Sequence, residues 1–164
     1  MEQIIELAED VMQKYGGRDI FETAENSGAN LWFRDLGSLK GFYLYENSKR
    51  YIIINRSLRK VVQRTVCAHE LGHDMLHREL SAGGIREHSL FLANNKTERE
   101  ANLFAAEVLI SDDEALSALE YAHTVEEAAY ELGALPEIVA YKLELLNFKG
   151  YSFNLSGVSS DFLK

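Results

Sequence analysis

The 164-residue chain carries a formal net charge of −9 and is 46% apolar and 26% charged, as is usual for one globular domain. This negative charge argues against sequence-independent binding to the phosphate backbone of a nucleic acid, so no direct nucleic-acid binding is expected. No apolar run approaches the roughly 20 residues that cross a bilayer, and the start has no secretory signal pattern. The single cysteine, Cys67, excludes an internal disulfide. These features favour a cytoplasmic domain without membrane contact.

The first part of the chain predicts two helices and a small sheet. Apolar residues from Ile4 to Tyr15 form one helical stripe, which should end in a left-handed cap at Gly16-Gly17. A short helix is predicted over residues 18–24. The segment NLWFRDLGSLKGFYLYENSKRYIIINRSL then shows alternating or fully apolar runs between turn-like residues, which predicts three short antiparallel strands.

The remainder of the chain is predominantly helical in pattern. One helix should run through His77, and another from Thr97, as N-cap with Glu100 at the capping-box position, to about Leu109. A further helix should begin after Ser111, which is a favourable N-cap.

Two more helices are predicted in TVEEAAYELG and LPEIVAYKLELLNFKG, the second with Pro136 in its first turn. The predicted fold class is α+β, with a small three-stranded antiparallel sheet packed on a mostly helical body and a C-terminal helical tail. We expect a single domain over residues 1–164, with a catalytic core at 1–110 and the tail at 111–164.

The segment AHELGHDMLH suggests a metal site. On a helix, His73 lies about 40° round from His69 and one turn along, so both imidazoles can reach one zinc ion. Glu70, about 100° from His69, can approach a water at that ion without binding the metal, which suits a general base. The same pattern on an ordinary exposed helix is the alternative, and a third ligand is needed to decide.

His77 is the nearest candidate for the third ligand, but about 12 Å of straight helix separates it from His69. One ion cannot span that distance. We therefore interpret His77 as a structural residue or a candidate for the substrate cleft.

Two carboxylates further along, in TEREANLFAAEVLI, are the other candidates. Glu98 shares a helical stripe with small residues, which would let its helix approach the histidine helix closely. Glu100 lies about 200° away, on the side of Glu107, and should face solvent. Glu98 is therefore the predicted third ligand, and Asn102, one turn on, could accept a hydrogen bond from the free ring nitrogen of a ligand histidine.

Three protein ligands leave the fourth position of one zinc ion for water, which is typical of a catalytic site. Glu70 would take the proton of that water as it attacks a carbonyl. Cys67 lies about 160° round the helix from His69 and is expected to be a buried, inert thiol.

HELGHDMLH followed by EREANLFAAEVLI resembles the ImmA/IrrE family of metallopeptidases, which are gluzincin-like. The strand segment and the C-terminal helices are similar to the family as well, so the resemblance covers nearly the whole chain. It implies a zincin-like body, His69, His73 and Glu98 as zinc ligands, and Glu70 as the catalytic base. The sequence VLISD from Val108 departs from the family's usual Leu-Leu-Met-Pro, which affects the helix end and not the ligands.

The resemblance also implies a role. Family members cleave helix-turn-helix transcriptional repressors, often encoded beside them on a phage or mobile element, so such a repressor is the expected partner. A non-catalytic repressor-binding module with a structural zinc is the alternative, and a hydrolase of small amides is a weaker one. The sequence leaves the oligomeric state and any activating signal open.

The tail itself has a helix-turn-helix outline, but its second helix carries only Lys142 as a basic residue, which disfavours DNA binding. The residue that stabilises an oxyanion is not marked by spacing. The candidates are His77, His88, Tyr43, Tyr121 and His123.

Overall fold

The computed structural model describes residues 1–17, 19–78 and 95–153, and these contain seven helices and a three-stranded sheet. In chain order the elements are α1 (Glu2–Tyr15), α2 (Ile20–Asn26), β1 (Asn30–Arg34), β2 (Gly41–Glu46), β3 (Lys49–Asn55), α3 (Lys60–His77), α4 (Asn95–Leu109), α5 (Asp112–Leu119), α6 (Val125–Leu132) and α7 (Pro136–Phe148). The α+β class is confirmed. Within the described ranges, no helix is both long and apolar enough to cross a bilayer.

The sheet has the order β1-β3-β2 and is mixed, so the prediction of three antiparallel strands is wrong for β1. β2 and β3 form the expected antiparallel hairpin, and its turn residues Asn47 and Ser48 both have positive φ, as a tight hairpin turn requires. β1 pairs with β3 in parallel, from Asn30 opposite Tyr51 onward. The chain does reverse direction at each strand, but β3 lies in the middle, so its two neighbours run in opposite directions.

The predicted helix ends are correct in part. Ser111 forms a full capping box with Glu114 at the start of α5. In contrast, α4 begins at Asn95, so Thr97 lies within the first turn and is not the N-cap. Gly16 does cap α1, but with φ −50° and not in the left-handed region. Glycine is needed there for space, because a Cβ would lie 2.3 Å from the Met12 carbonyl oxygen.

The core lies where α3 and α4 pack side by side. The sheet and α2 cover α3, whereas α1 and α7 cover α4. Burial of these apolar side chains is the main favourable contribution to folding. The largest of them with almost no exposed surface are Ile52, Ile54, Val66, Leu71, Phe104, Ile138, Val139, Leu145 and Leu146.

The two C-terminal helices are part of this body. Gly133, in the left-handed conformation, joins α6 to α7, and α7 packs against α4 and α6. Lys142 on α7 is 1% exposed, and its Nζ lies 2.7 Å from Oε2 of Glu107. The only lysine inside this helix therefore points into the protein and cannot contact a phosphate backbone from this position.

Candidate metal centre

A close approach of α3 and α4 brings the predicted site residues together. Gly72, between the two histidines of HELGH, faces Ala101 on α4. A Cβ on Gly72 would lie 3.2 Å from both the Cα and the carbonyl oxygen of Ala101. Because both atoms are backbone, a methyl group here could be accommodated only if the two helices moved apart by a few tenths of an ångström. Glycine and alanine at the crossing thus set how near α4 comes to the histidines.

Three side chains converge at this crossing. His69 Nε2 lies 3.1 Å from His73 Nε2 and 3.3 Å from Oε2 of Glu98. His73 Nε2 lies 3.4 Å from the other carboxylate oxygen, Oε1 of Glu98. Within the described residues this is the group of histidine and acidic side chains arranged so that it could hold a metal ion. The sequence prediction selected the same three residues.

The spacing of these atoms fits a small divalent cation. In a tetrahedral site the ligand atoms lie about 1.6 bond lengths apart, so zinc bonds of about 2.0–2.1 Å require separations of about 3.3–3.4 Å. The distances of 3.1, 3.3 and 3.4 Å, of which the last two end at different oxygens of the Glu98 carboxylate, lie near these separations. The donor set of two imidazoles and one carboxylate is also one that catalytic zinc sites use.

Asn102 and Tyr141 orient His69. Asn102 Oδ1 lies 2.9 Å from Nδ1 of His69, and Asn102 Nδ2 donates a hydrogen bond to the Tyr141 hydroxyl at 3.3 Å. The amide oxygen can only accept, so His69 Nδ1 carries the proton and its Nε2 presents a lone pair to the cluster. His69 is 4% exposed and Asn102 is 7% exposed, so this arrangement is held inside the protein.

Glu98 reaches the cluster from the first turn of α4 and keeps 39% of its side-chain surface exposed. The adjacent imidazoles of His69, which has the larger effect, and His73 hold the pKa of the Glu98 carboxyl well below its usual range. The carboxylate is therefore ionised at neutral pH, which is the form that binds a metal.

Glu70 lies beside the cluster, on the side of the sheet. Burial, the largest effect, and the Glu98 carboxylate raise the pKa of Glu70 to about 7, against the lowering effects of His73 and the Tyr43 backbone N–H. Glu70 and His69 line a cavity of about 130 Å³ together with Val66 and residues 38–41. The carboxyl group thus has access to a space next to the three ligand atoms.

His77 lies one turn beyond His73, with the two ring centroids 5.6 Å apart. Its Nε2 is 3.6 Å from Oε2 of Glu100. Burial and the nearby His73 lower the pKa of His77. The Glu100 side chain, next to His77, is only 26% exposed, which corrects the prediction that Glu100 faces solvent. His77 stays a candidate cleft residue without a demonstrated role.

The remaining predicted residues are dispersed. Cys67 is buried, and burial raises the pKa of its thiol, as expected for an inert cysteine. The Tyr43 hydroxyl donates to Asp74 at 2.8 Å. Tyr121 is 71% exposed and lines a different concavity with Glu126 and other residues of α6. His123 is exposed and precedes α6, and His88 lies outside the described residues.

Two ionic clusters were not predicted. The first joins Lys142 and Lys149 to Glu107 and Asp112, with Lys–carboxylate distances of 2.6–2.8 Å. The Glu107 side chain is only 7% exposed and lies against α7, which corrects the prediction that its face of α4 is open to solvent. The second cluster surrounds Asp74. Both clusters join residues far apart in sequence. For the second cluster, the only local signal in the sequence was Asp74, which directly follows HELGH.

Comparison with known proteins identifies the family. Residues 24–144 match the Peptidase_M78 family, described as the IrrE N-terminal-like domain. Over 103 residues the chain is 36% identical to "Uncharacterized immunity region protein 2" of Bacillus phage phi105, a match that covers 62% of this chain and 65% of the relative. Over 115 residues it is 31% identical to "Metallopeptidase ImmA" of Bacillus subtilis strain 168, covering 69% and 66%. The matches span just under two thirds of each relative's length.

The family match begins before the sheet and includes both α3 and α4, so it contains every residue of the three-ligand cluster. The resemblance inferred from HELGH and EREAN is confirmed. The chain belongs to the ImmA/IrrE family of metallopeptidases.

Proposed function

We propose that this protein is a zinc-dependent endopeptidase that cleaves a helix-turn-helix transcriptional repressor encoded near it. His69, His73 and Glu98 hold one zinc ion in this proposal, Glu70 is the general base, and residues 1–164 act as a single peptidase domain in the cytoplasm. The observation that carries the proposal is that two imidazole nitrogens 3.1 Å apart each lie 3.3–3.4 Å from one oxygen of the Glu98 carboxylate, beside a second carboxyl group that borders a cavity.

A zinc ion at this site would acidify water and polarise a substrate carbonyl. Glu70 would accept the water proton on a carboxylate oxygen and deliver it to the leaving amine. The raised pKa of Glu70, about 7, suits a group that both takes up and releases a proton near neutral pH. Asn102 keeps His69 Nε2 unprotonated, and it thereby keeps that ligand ready for the metal.

The surroundings favour a peptide over a small amide as substrate. Among the strands that the structure describes, β2 lies at one edge of the sheet, since β3 pairs with it on one side and β1 lies beyond β3. The cavity beside Glu70 is lined by residues 38–41, which lead into β2. An extended peptide can add to such an edge through backbone hydrogen bonds and place a side chain in the adjoining cavity.

The names of the two relatives support the substrate class. One is an immunity region protein of a phage, and the other is a metallopeptidase. If this chain is a peptidase that acts in such an immunity region, a transcriptional repressor is the substrate that we propose, and the repressor-binding alternative would share that partner.

The test is to mix the zinc-loaded protein with the helix-turn-helix regulator encoded beside its gene and to search for a specific cut by mass spectrometry. Glu70→Gln should lower cleavage by at least about 10²-fold, because it removes the proton acceptor. The same variant should keep zinc and regulator binding, since Glu70 lies outside the three-ligand set.

Loss of repressor activity that survives Glu70→Gln would identify the non-catalytic module instead. A wild-type protein that binds zinc but leaves the regulator intact under all conditions would contradict the proposed substrate. Cleavage of small amides in preference to peptides would contradict the proposed substrate class.

A further inference from the structure

β2 touches α3 at two points, and Glu70 lies between them on the helix. At one point Gly41 lies against Val66, so closely that a Cβ on Gly41 would be 2.4 Å from Cγ1 of Val66. At the other point the Tyr43 hydroxyl donates a 2.8 Å hydrogen bond to Oδ1 of Asp74. Val66 and Asp74 are each one helical turn from Glu70, in opposite directions. The edge strand is therefore attached to α3 on both sides of the proposed base.

Asp74 is a rigid attachment point. Its side chain is fully buried, and it accepts hydrogen bonds from three donors that lie on different segments. Arg50 Nη1 on β3 lies 2.7 Å from Oδ2, and Arg78 Nε lies 3.0 Å from Oδ1, beside the bond from Tyr43. Arg50 also donates to the Ser27 carbonyl after α2. A buried carboxylate with this many charged partners cannot move without losing several of them.

Tyr43 connects this attachment point to the base. Its hydroxyl donates a hydrogen bond to Asp74, and its backbone N–H donates one to Glu70. Glu70 precedes Asp74 by one turn of α3. Tyr43 pairs with Ile52 on β3, and β2 also packs against α3. One residue thus sets both the position of the strand edge and its spacing from the Glu70 carboxyl group.

We propose that Tyr43 is a positioning residue for peptide hydrolysis, which holds the β2 edge at a fixed spacing from Glu70 through its hydrogen bond to Asp74. This inference rests on the proposed function, because it concerns the base and the strand edge used there. The bond keeps a peptide carbonyl that lies along β2 in line with the base. Because the Tyr43 hydroxyl donates its only proton to Asp74, Tyr43 does not serve as the hydrogen-bond donor to the oxyanion.

The test compares Tyr43→Phe with the matched control Tyr45→Phe, which removes a hydroxyl two residues along the same strand. Tyr45 is not among the hydrogen-bond partners of Asp74. The first two measurements are Co²⁺ affinity with its visible absorption spectrum and amide hydrogen exchange over residues 41–46. We expect the cobalt affinity and spectrum of both variants to match wild type, since neither tyrosine is a ligand.

Hydrogen exchange on β2 should become about tenfold faster in Tyr43→Phe and stay unchanged in Tyr45→Phe, as expected for the loss of one hydrogen bond that holds the strand.

The third measurement is hydrolysis by the zinc-loaded protein of the best-cleaved peptide from a proteome-derived mixture. Tyr43→Phe should lower kcat by about tenfold and change KM by less than threefold, because a displaced base slows the chemical step. Tyr45→Phe should leave both constants unchanged.

Each other result overturns the proposal in a distinct way. Faster exchange with an unchanged kcat would make the Tyr43–Asp74 bond merely structural. A loss of about 10²–10³-fold in kcat without faster exchange would identify Tyr43 as an oxyanion donor. If wild type cleaves no peptide in the mixture and no regulator, the proposed function fails and this inference fails with it. An active wild type with an equally active Tyr43→Phe refutes this inference alone.

Discussion

The two ends of α4 each direct a glutamate at a neighbouring helix, yet the two carboxylates meet different partners. At the C-terminal end, Glu107 is 7% exposed in its side chain and lies 2.7 Å from the ammonium groups of both Lys142 and Lys149. At the N-terminal end, Glu98 keeps 39% of its side-chain surface exposed and lies 3.3–3.4 Å from the rings of His69 and His73.

The difference separates a structural ion cluster from a candidate metal-binding site. The two lysines balance the charge of Glu107 and Asp112 within the protein, so that cluster is complete without a ligand. The Glu98 end gathers a carboxylate and imidazole nitrogens that are best satisfied by a cation held between them. A carboxylate whose fixed neighbours offer lone pairs is therefore a candidate metal ligand, whereas one whose neighbours are ammonium groups already has its charge balanced.

The largest expected effect comes from the Glu98 end. Glu98→Gln should weaken zinc binding by about 10³-fold, because loss of a ligand must exceed the 10–100-fold that supporting residues contribute. Titration of the apo protein with zinc against a competing chelator measures this change. Glu107→Gln, at the other end of the same helix, is the matched control and should alter zinc affinity by less than about threefold. Equal losses in both variants would show that α4 as a whole, and not the Glu98 carboxylate, determines affinity.

The next effect concerns the stability of the Glu107 end. Lys142→Met fills the same space but leaves Glu107 and Asp112 with Lys149 as their shared partner. We expect the free energy of unfolding to fall by about 2–4 kcal/mol, since removal of one member leaves buried charge uncompensated. Urea denaturation of the apo protein measures the change. The Lys149 side chain is 20% exposed, so Lys149→Met should lower the free energy of unfolding by less than Lys142→Met. An unchanged midpoint for Lys142→Met would contradict the structural role of this cluster.

A smaller effect tests the support behind the metal ligands. Asn102→Leu keeps the volume but removes the acceptor for His69 Nδ1–H, so zinc affinity should fall by about 10–100-fold. Tyr141→Phe removes only the 3.3 Å contact behind Asn102 and should change affinity by less than about threefold. The same competition titration measures both variants. If the tyrosine variant had the larger effect, Asn102 would not be what orients His69.

The metal cluster was predictable from the sequence because each of its parts is local. HELGH sets the two histidines one turn apart on any regular helix, and the stripe of small residues around Ala101 separates Glu98 from Glu100. What the sequence alone could not supply is the distance between the two helices. That distance depends on the contact of Gly72 with Ala101, which becomes visible only once α3 and α4 are packed.

The errors concern contacts between residues distant in sequence. The antiparallel pairing expected for β1 was wrong because alternation identifies strands and their faces but does not say which strand is central. Glu107 was assigned to solvent because helical angles relative to Glu98 carry no information about α7, whose Lys142 covers that face. For the same reason neither the Lys142 cluster nor the three donors around Asp74 had a sequence signal as clear as the metal motif.

The measurement that tests the central claim most directly is X-ray absorption spectroscopy of the zinc-loaded protein. Binding by His69, His73 and Glu98 predicts one ion per chain, with a first shell of nitrogen and oxygen at about 2.0–2.2 Å and the multiple-scattering signature of two imidazoles. A sulfur scatterer at about 2.3 Å would place Cys67 at the metal and contradict this arrangement. A spectrum with fewer than two imidazoles would contradict it equally.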